Sequence, residues 1–276
     1  MARRISFAWL KPPRTSPDGV MSLGDHLREL RYRVLFSVIF ITIGMIVIAV
    51  FYNQVYLFLT QPWLHAKEIL SVTNPELSTQ MVLSGVTSPL TLALKICGVG
   101  GVVLAAPIWL YQIWAYIVPA LLAREKRWAL LFVGTALPLF LAGVAVGYLI
   151  LPQGISVLMS FTPQSVPITN LVEIDKFLEL MLQLMLVFGL GFLMPVVVVG
   201  ANLVGVIKAE QLAKSRLYVI FGTFVFGAAA TPSTDPFSML ALALPMTALF
   251  LIAEVICRIH DKRKAKRLAA DLVDSP

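Results

Sequence analysis

The sequence is poor in charge: only 13% of its 276 residues are Asp, Glu, Lys or Arg, whereas 58% are hydrophobic. A soluble domain of this length needs about a quarter charged residues to cover its surface. The charges also stand in clusters separated by long uncharged runs. This lack of charge excludes an ordinary soluble fold and predicts an all-α polytopic membrane protein. The net charge of +7 then reports membrane orientation, and we expect no nucleic-acid partner.

Cysteine and histidine are also scarce, with two and three copies. Cys97 and Cys257 lie in or at the end of apolar runs on opposite predicted sides of the membrane, so no disulfide is implied. The histidines lie outside the apolar runs and share no ligand spacing, so we expect no metal and no other cofactor. The hydrolase motifs GxSxG and HExxH are absent from the sequence, and we predict that the protein is not an enzyme.

Six apolar runs approach the roughly 20 residues that a helix needs to cross a bilayer. They are Val34 to Phe51, Pro89 to Ile113, Trp128 to Leu151, Phe177 to Val204, Leu217 to Ala230 and Phe237 to Cys257. The fifth would be only about 21 Å long as a helix, so it needs local thinning of the bilayer or protein cover. Four runs contain an interior proline, which predicts kinked helices in a concave bundle. These prolines are Pro107, Pro138, Pro195 and Pro245.

Basic residues fix the predicted orientation. Seven Lys and Arg residues precede the first run and six follow the last, and the loops between alternate between basic and nearly uncharged. The positive-inside rule places both termini in the cytoplasm. We therefore predict a flexible cytoplasmic tail over residues 1–21, a six-span membrane domain over 22–257 and a basic cytoplasmic tail over 258–276, which membrane lipids would contact.

Two carboxylates stand among bases beside apolar runs. Residues 22–33, "SLGDHLRELRYR", have the pattern of an amphipathic helix, which we expect to lie on the cytoplasmic surface before the chain turns into the first span. Within it, Glu29 either makes a local ion pair with Arg33 or, together with Glu125, receives a cationic partner through bidentate bonds to guanidinium groups. The residues alone leave both readings open.

Ordered motifs then point to a family. They are "HLRELRYR", "LTQPW", "SPLTLALK", "APIWLYQIWAYIVPALLAREKR", "FGLGFLMP" and "TPSTDPFS". Along nearly all of residues 21–258 the chain resembles the TatC family, the C subunit of the twin-arginine protein translocase. The resemblance implies a multi-pass protein of the bacterial cytoplasmic membrane, with both termini inside. It would be the receptor for twin-arginine signal peptides of folded precursors, would work in a multimeric complex with the single-span subunits A and B, and would depend on the proton gradient.

The resemblance also assigns roles to residues. It places the arginine pair of the signal on two carboxylates, with neighbouring side chains completing a surface patch: Glu29, Glu125, Arg31, Arg33 and Tyr116. Further motif positions are assigned support of the outer loop, helix placement and the last hairpin: Pro62, Lys95, Pro119 and Asp235. Gln183, a neutral polar residue within the fourth run, is separately expected to hydrogen-bond across helices or to a partner helix.

One position departs from the family pattern. Many members have a glutamate before the proline of the fourth span, where this chain has Leu193. Gln183 or Glu179, upstream on the same span, is the expected substitute. Glu179, like Glu254, stands near a predicted span end, where we otherwise interpret such a carboxylate as solvated. The alternative class is a small secondary transporter or channel, but the sequence has neither an inverted repeat nor a midplane carboxylate.

Overall fold

A computed structural model describes residues 23–73, 78–117, 125–162, 169–230 and 236–273. Within these residues the chain forms ten helices and two short strands. In chain order they are α1 (Leu23–Val50), α2 (Tyr52–Thr73), β1 (Ser78–Val82), α3 (Ser88–Leu104), α4 (Ala106–Ile117), α5 (Glu125–Ser160), β2 (Thr169–Glu173), α6 (Ile174–Phe192), α7 (Met194–Val204), α8 (Ala209–Lys214), α9 (Arg216–Ala230) and α10 (Pro236–Val273). The predicted tail of residues 1–21, Pro119 and Asp235 lie outside the described residues, and the side chain of Glu125 is not among those described.

Four helical stretches are long and apolar enough to cross a membrane, namely residues 24–50, 132–160, 174–203 and 239–266. A fifth candidate is the pair α3 and α4, taken together as one bent span. The prediction of an all-α polytopic membrane protein is therefore confirmed. The predicted fifth span coincides with α9, which has only 15 residues and is too short to count by length alone.

The N-terminal amphipathic segment is not a separate surface helix, and that prediction was wrong. It is the first part of α1, which continues without interruption into the first apolar run. No proline or glycine stands between Leu30 and Val34, so nothing ends the backbone hydrogen-bond ladder there. The charged segment before the first apolar run and that run itself therefore form one continuous helix.

Two of the four interior prolines coincide with helix breaks. The axes of α3 and α4 differ by 59° across a break at Ala105, two residues before Pro107. The chain breaks again at Leu193, two residues before Pro195, and α7 begins there. Proline has no N–H and its ring clashes with the carbonyl four residues earlier, so it favours a kink or a break in the preceding turn. Pro138 and Pro245 instead lie inside α5 and α10, which continue through them.

The chain divides into two compact units, which are described separately. The first comprises Met1–Tyr52 and Ile96–Leu137. In it α1 packs against both α3 and α4. Toward the C-terminal end of α1, a Cβ added to Gly44 would lie 2.9 Å from the carbonyl oxygen of Gly101 on α3, so only glycine fits at this crossing. Toward its start, α1 contacts α4 through side chains.

The second unit comprises Asn53–Lys95 and Pro138–Pro276. Its two strands, which the sequence did not predict, pair in parallel from Ser78 with Thr169 to Val82 with Glu173. The unit also contains Pro62, which is fully buried inside α2 beside Trp63. The Trp63 ring packs edge-on against Phe177 of α6, with ring centroids 5.9 Å apart. The short helix α8 packs on α10 through a buried apolar cluster: Ala209, Leu212, Phe250 and Cys257.

Candidate functional site

The carboxylate of Glu29 lies inside the first unit, where α1 meets α4. Glu29 is only 5% exposed, although its helix carries charged residues on both sides. Arg33, one helical turn later, donates two hydrogen bonds to Glu29 Oε1, from Nε at 2.9 Å and from Nη2 at 2.5 Å. The third nitrogen, Nη1, donates to Gln112 Oε1 of α4 at 3.1 Å. A single guanidinium thus joins the carboxylate of α1 to the amide of α4.

The second oxygen of the same carboxylate differs from the first. Oε2 of Glu29 is buried and has no hydrogen-bond partner among the side chains and backbone groups that the structure describes. An ionised carboxylate offers about four acceptor positions, and a buried one normally has them filled. Glu29 therefore retains the capacity to accept hydrogen bonds from a further cationic donor.

Two other predicted site residues lie on the same helices. The ring of Tyr116 on α4 stacks on His26 of α1, with centroids 4.5 Å apart and planes inclined by 19°. Arg31 is exposed on α1. The structure thus brings Glu29, Arg33 and Tyr116 to one end of the contact between α1 and α4, while Glu125 and Pro119 fall where no side chain is described. The predicted surface patch is wrong for Glu29 itself, because this carboxylate is buried.

The ion pair of Glu29 with Arg33 was predicted as a local contact, but the participation of Gln112 was not predicted. The pair is present, yet it is part of a buried network that reaches a residue 79 positions away. A signal was available, because Gln112 is the one charged or amide side chain between Lys95 and Arg124. An isolated amide in a long apolar run generally needs a polar partner.

A second group of polar side chains lies in the second unit. The ammonium of Lys95 on α3 is 2.8 Å from Glu179 Oε1 on α6, and each side chain is about half exposed. Gln183 follows Glu179 by one helical turn and is exposed. Glu179 is thus exposed, as expected of a carboxylate near a span end, and it also makes an ion pair that was not predicted. Leu193 stands at the break between α6 and α7, where its N–H bonds to the carbonyl of Leu190.

Glu254, also expected to be solvated, is instead 1% exposed on α10. Arg216 at the start of α9 donates to both of its oxygens, from Nε to Oε2 at 2.9 Å and from Nη2 to Oε1 at 2.8 Å. Arg258 lies 2.6 Å from Oε1. Nearby, Asp261 accepts from the backbone N–H of Ala209 and from the side chain of Asn202. These bonds fix α7, α8 and α9 on α10.

No group of three or more His, Cys, Asp or Glu side chains capable of holding a metal occurs in the part of the chain that the structure describes. The polar groups of both units are arranged as ion pairs and hydrogen bonds. Several apolar spans with such groups define a multi-pass membrane protein.

Comparison with known proteins identifies the family. The family model for "Sec-independent protein translocase protein (TatC)" matches residues 25–245. A TatC protein of Frankia casuarinae is 35% identical over 257 residues, which cover 92% of this chain and 70% of that protein. TatC of Escherichia coli K12 is 32% identical over 246 residues, which cover 89% of this chain and 91% of that protein. A crystal structure of the "Twin Arginine Translocase Receptor- TatC in DDM" superposes with a TM-score of 0.72 at 32% identity, covering 84% of this chain and 99% of that one. The chain belongs to the TatC family and is a component of the Sec-independent protein translocase.

Proposed function

We propose that this chain is the receptor of the translocase and binds the twin-arginine signal peptides of folded precursor proteins. Glu29 and Glu125 are the proposed acceptors for the two guanidinium groups, and Arg31, Arg33 and Tyr116 border them. The observation that carries the proposal is the buried Glu29 carboxylate, which already binds one guanidinium. Its other oxygen has no partner within the described residues. Such a group is suited to bidentate arginine recognition.

The proposed placement puts six helices across the bacterial cytoplasmic membrane with both termini inside. The basic ends of the chain support this orientation. The proposed fifth span, α9, is only 15 residues long, so the bilayer beside it would be thinner or covered by protein. Local contacts support the placement, since Asp261 of the predicted inner tail is hydrogen-bonded to Ala209 of a predicted inner loop and to Asn202, two residues before the inner end of the predicted fourth span.

The same proposal assigns docking of the single-span subunits A and B to polar groups in the spans. Gln183 is exposed on α6. An exposed amide in an apolar span is suited to a hydrogen bond with another helix. Glu179, one helical turn before Gln183 on α6 and half exposed in its ion pair with Lys95 of α3, is the other candidate for the role that the missing family glutamate at Leu193 leaves open. Pro62, Pro119 and Asp235 are assigned support of the outer loop and of the helix ends. The complete receptor would be multimeric and driven by the proton gradient.

The deciding experiment is binding of a labelled twin-arginine signal peptide to the purified protein in detergent. The same peptide with both arginines replaced by lysines is the comparison. Loss of a hydrogen bond to a charged group costs about 1.5–3 kcal/mol, so Glu29→Gln and Glu125→Gln should each weaken the arginine peptide about tenfold to hundredfold. Glu210→Gln, at an exposed ion pair of α8, is the matched control. Equal binding of both peptides, unchanged by either substitution, would refute the receptor proposal.

A further inference from the structure

The carboxylate proposed to receive a signal arginine is already bound by an arginine of the chain itself. Arg33 places two nitrogens on Glu29 Oε1, at 2.9 Å and 2.5 Å. The side chains are 19% and 6% exposed, so the pair is largely shielded from water. An exposed ion pair spaced four residues apart on a helix exchanges freely with solvent, but a shielded one restricts access to the carboxylate.

Gln112 holds the arginine from the opposite side. Its Oε1 accepts from Arg33 Nη1 at 3.1 Å, and the glutamine is itself buried. All three nitrogens of the guanidinium therefore have partners, two on Glu29 and one on α4. Any cation that makes the strongest contact with Glu29 must either displace this arginine or share the carboxylate with it.

We propose that Arg33 occupies the place of the signal arginine and is exchanged for it, and that Gln112, which binds the guanidinium held there, sets the preference for arginine over lysine. This inference rests on the proposed function and assigns its specificity. Exchange of one guanidinium for another keeps the charge and the forked hydrogen bonds, so its net cost is small. A lysine ammonium has no planar fork and cannot replace both bonds from Arg33, so exchange for lysine is unfavourable.

Arg33 therefore lowers the affinity for every incoming cation. Without Arg33, the carboxylate of Glu29 would be buried without a cation, and any incoming cation would gain by pairing with it. Both peptides would then bind more tightly, and the ratio of their affinities would change little, because displacing Arg33 costs the same for either. Gln112→Leu should instead lower discrimination: it removes a bond from Arg33 and from an incoming arginine alike, whereas a lysine peptide then displaces Arg33 more easily.

The test measures dissociation constants of the arginine and lysine peptides for the wild type, Arg33→Gln, Arg33→Lys and Gln112→Leu. Arg28→Gln is the matched control because it removes a positive charge from an exposed position of the same helix. We expect Arg33→Gln to strengthen both peptides about tenfold with little change in the ratio of their dissociation constants, and Arg33→Lys to strengthen both by less. Gln112→Leu should strengthen lysine-peptide binding about tenfold while arginine-peptide binding changes less than about threefold. Monodisperse elution and unchanged helical content establish that each variant is folded.

Two results would overturn the inference in different ways. If Arg33→Gln weakens the arginine peptide as much as Glu29→Gln does, Arg33 assists the bound signal and is not exchanged, while the receptor proposal stands. If Arg28→Gln strengthens both peptides as much as Arg33→Gln does, and Gln112→Leu leaves the ratio of their dissociation constants unchanged, only long-range charge is involved. By contrast, insensitivity of arginine-peptide binding to Glu29→Gln would refute the proposed site itself.

Discussion

The buried carboxylate of Glu254 allows a sharp test of how this membrane protein is held together. It accepts two hydrogen bonds from Arg216 and contacts Arg258, and both arginines are about half exposed. Removing a base and removing the acid therefore have different consequences. Arg216→Leu leaves a buried charge with one partner fewer, whereas Glu254→Leu leaves two arginines that can turn toward water or lipid headgroups.

The magnitudes follow from this asymmetry. Each hydrogen bond to a charged group contributes about 1.5–3 kcal/mol, and solvent screening of the half-exposed Arg216 reduces the sum for its two bonds. We expect Arg216→Leu to lower the free energy of unfolding by about 2–3 kcal/mol. Glu254→Leu should cost about 1 kcal/mol or less, because replacing a buried charge by an apolar group of similar size is often nearly neutral. The double variant should resemble Glu254→Leu.

The assay is titration with SDS of the protein in mild detergent, with helical content followed by circular dichroism. Lys214→Leu, at an exposed pair on α8, serves as the control and should change stability by about 0.5 kcal/mol or less. A larger loss for Glu254→Leu than for Arg216→Leu would refute the reasoning, as would strict additivity in the double variant.

Two further predictions concern helix packing and partner docking. A Cβ at Gly143 of α5 would lie 2.8 Å from the Cα of Gly189 on α6, so Gly143→Leu should lower stability by about 3 kcal/mol or more in the same SDS titration. The control is Gly134→Leu, where a Cβ meets no described atom within 4 Å and which should be nearly neutral. Equal losses of stability for the two variants would contradict this packing. Gln183→Leu should reduce co-purification of a single-span subunit about tenfold without lowering stability. Lys95→Met should reduce co-purification less, since of these two residues only the glutamine is a neutral exposed hydrogen-bonding group. Unchanged recovery of the subunit with Gln183→Leu would exclude Gln183 from the docking surface.

Much of the helical fold could be predicted because its signals are local. Apolar runs of near-bilayer length gave the main helices, and Pro107 and Pro195 marked the two breaks that occur near them. The parallel strand pair was missed because a strand of five residues is defined by its partner, and Ser78 pairs with Thr169 far along the chain. The surface helix was wrongly separated from the first span because its polar pattern changes at Val34 while its backbone does not.

The candidate site was predicted only in part. Glu29 was singled out because a carboxylate among arginines at the start of a span is unusual, and its spacing to Arg33 predicted their pair. Burial of that pair could not be read from the sequence, since it depends on α4 packing on α1. The close approach of Gly44 on α1 to Gly101 on α3 is likewise a property of two distant segments.

By itself the sequence determined that this chain is a helical membrane protein and roughly where its helices lie. It also contained the motifs that place the chain in its family. These properties could be read directly because length, hydropathy and residue order belong to continuous segments. The tertiary structure decided which polar groups meet. Arg33 reaches Gln112 across 79 positions, Arg216 reaches Glu254 across 38, and Lys95 pairs with Glu179. In a low-dielectric interior a charged side chain needs an oppositely charged or hydrogen-bonding partner within about 3 Å. The packing of the folded chain determines which residue that partner is.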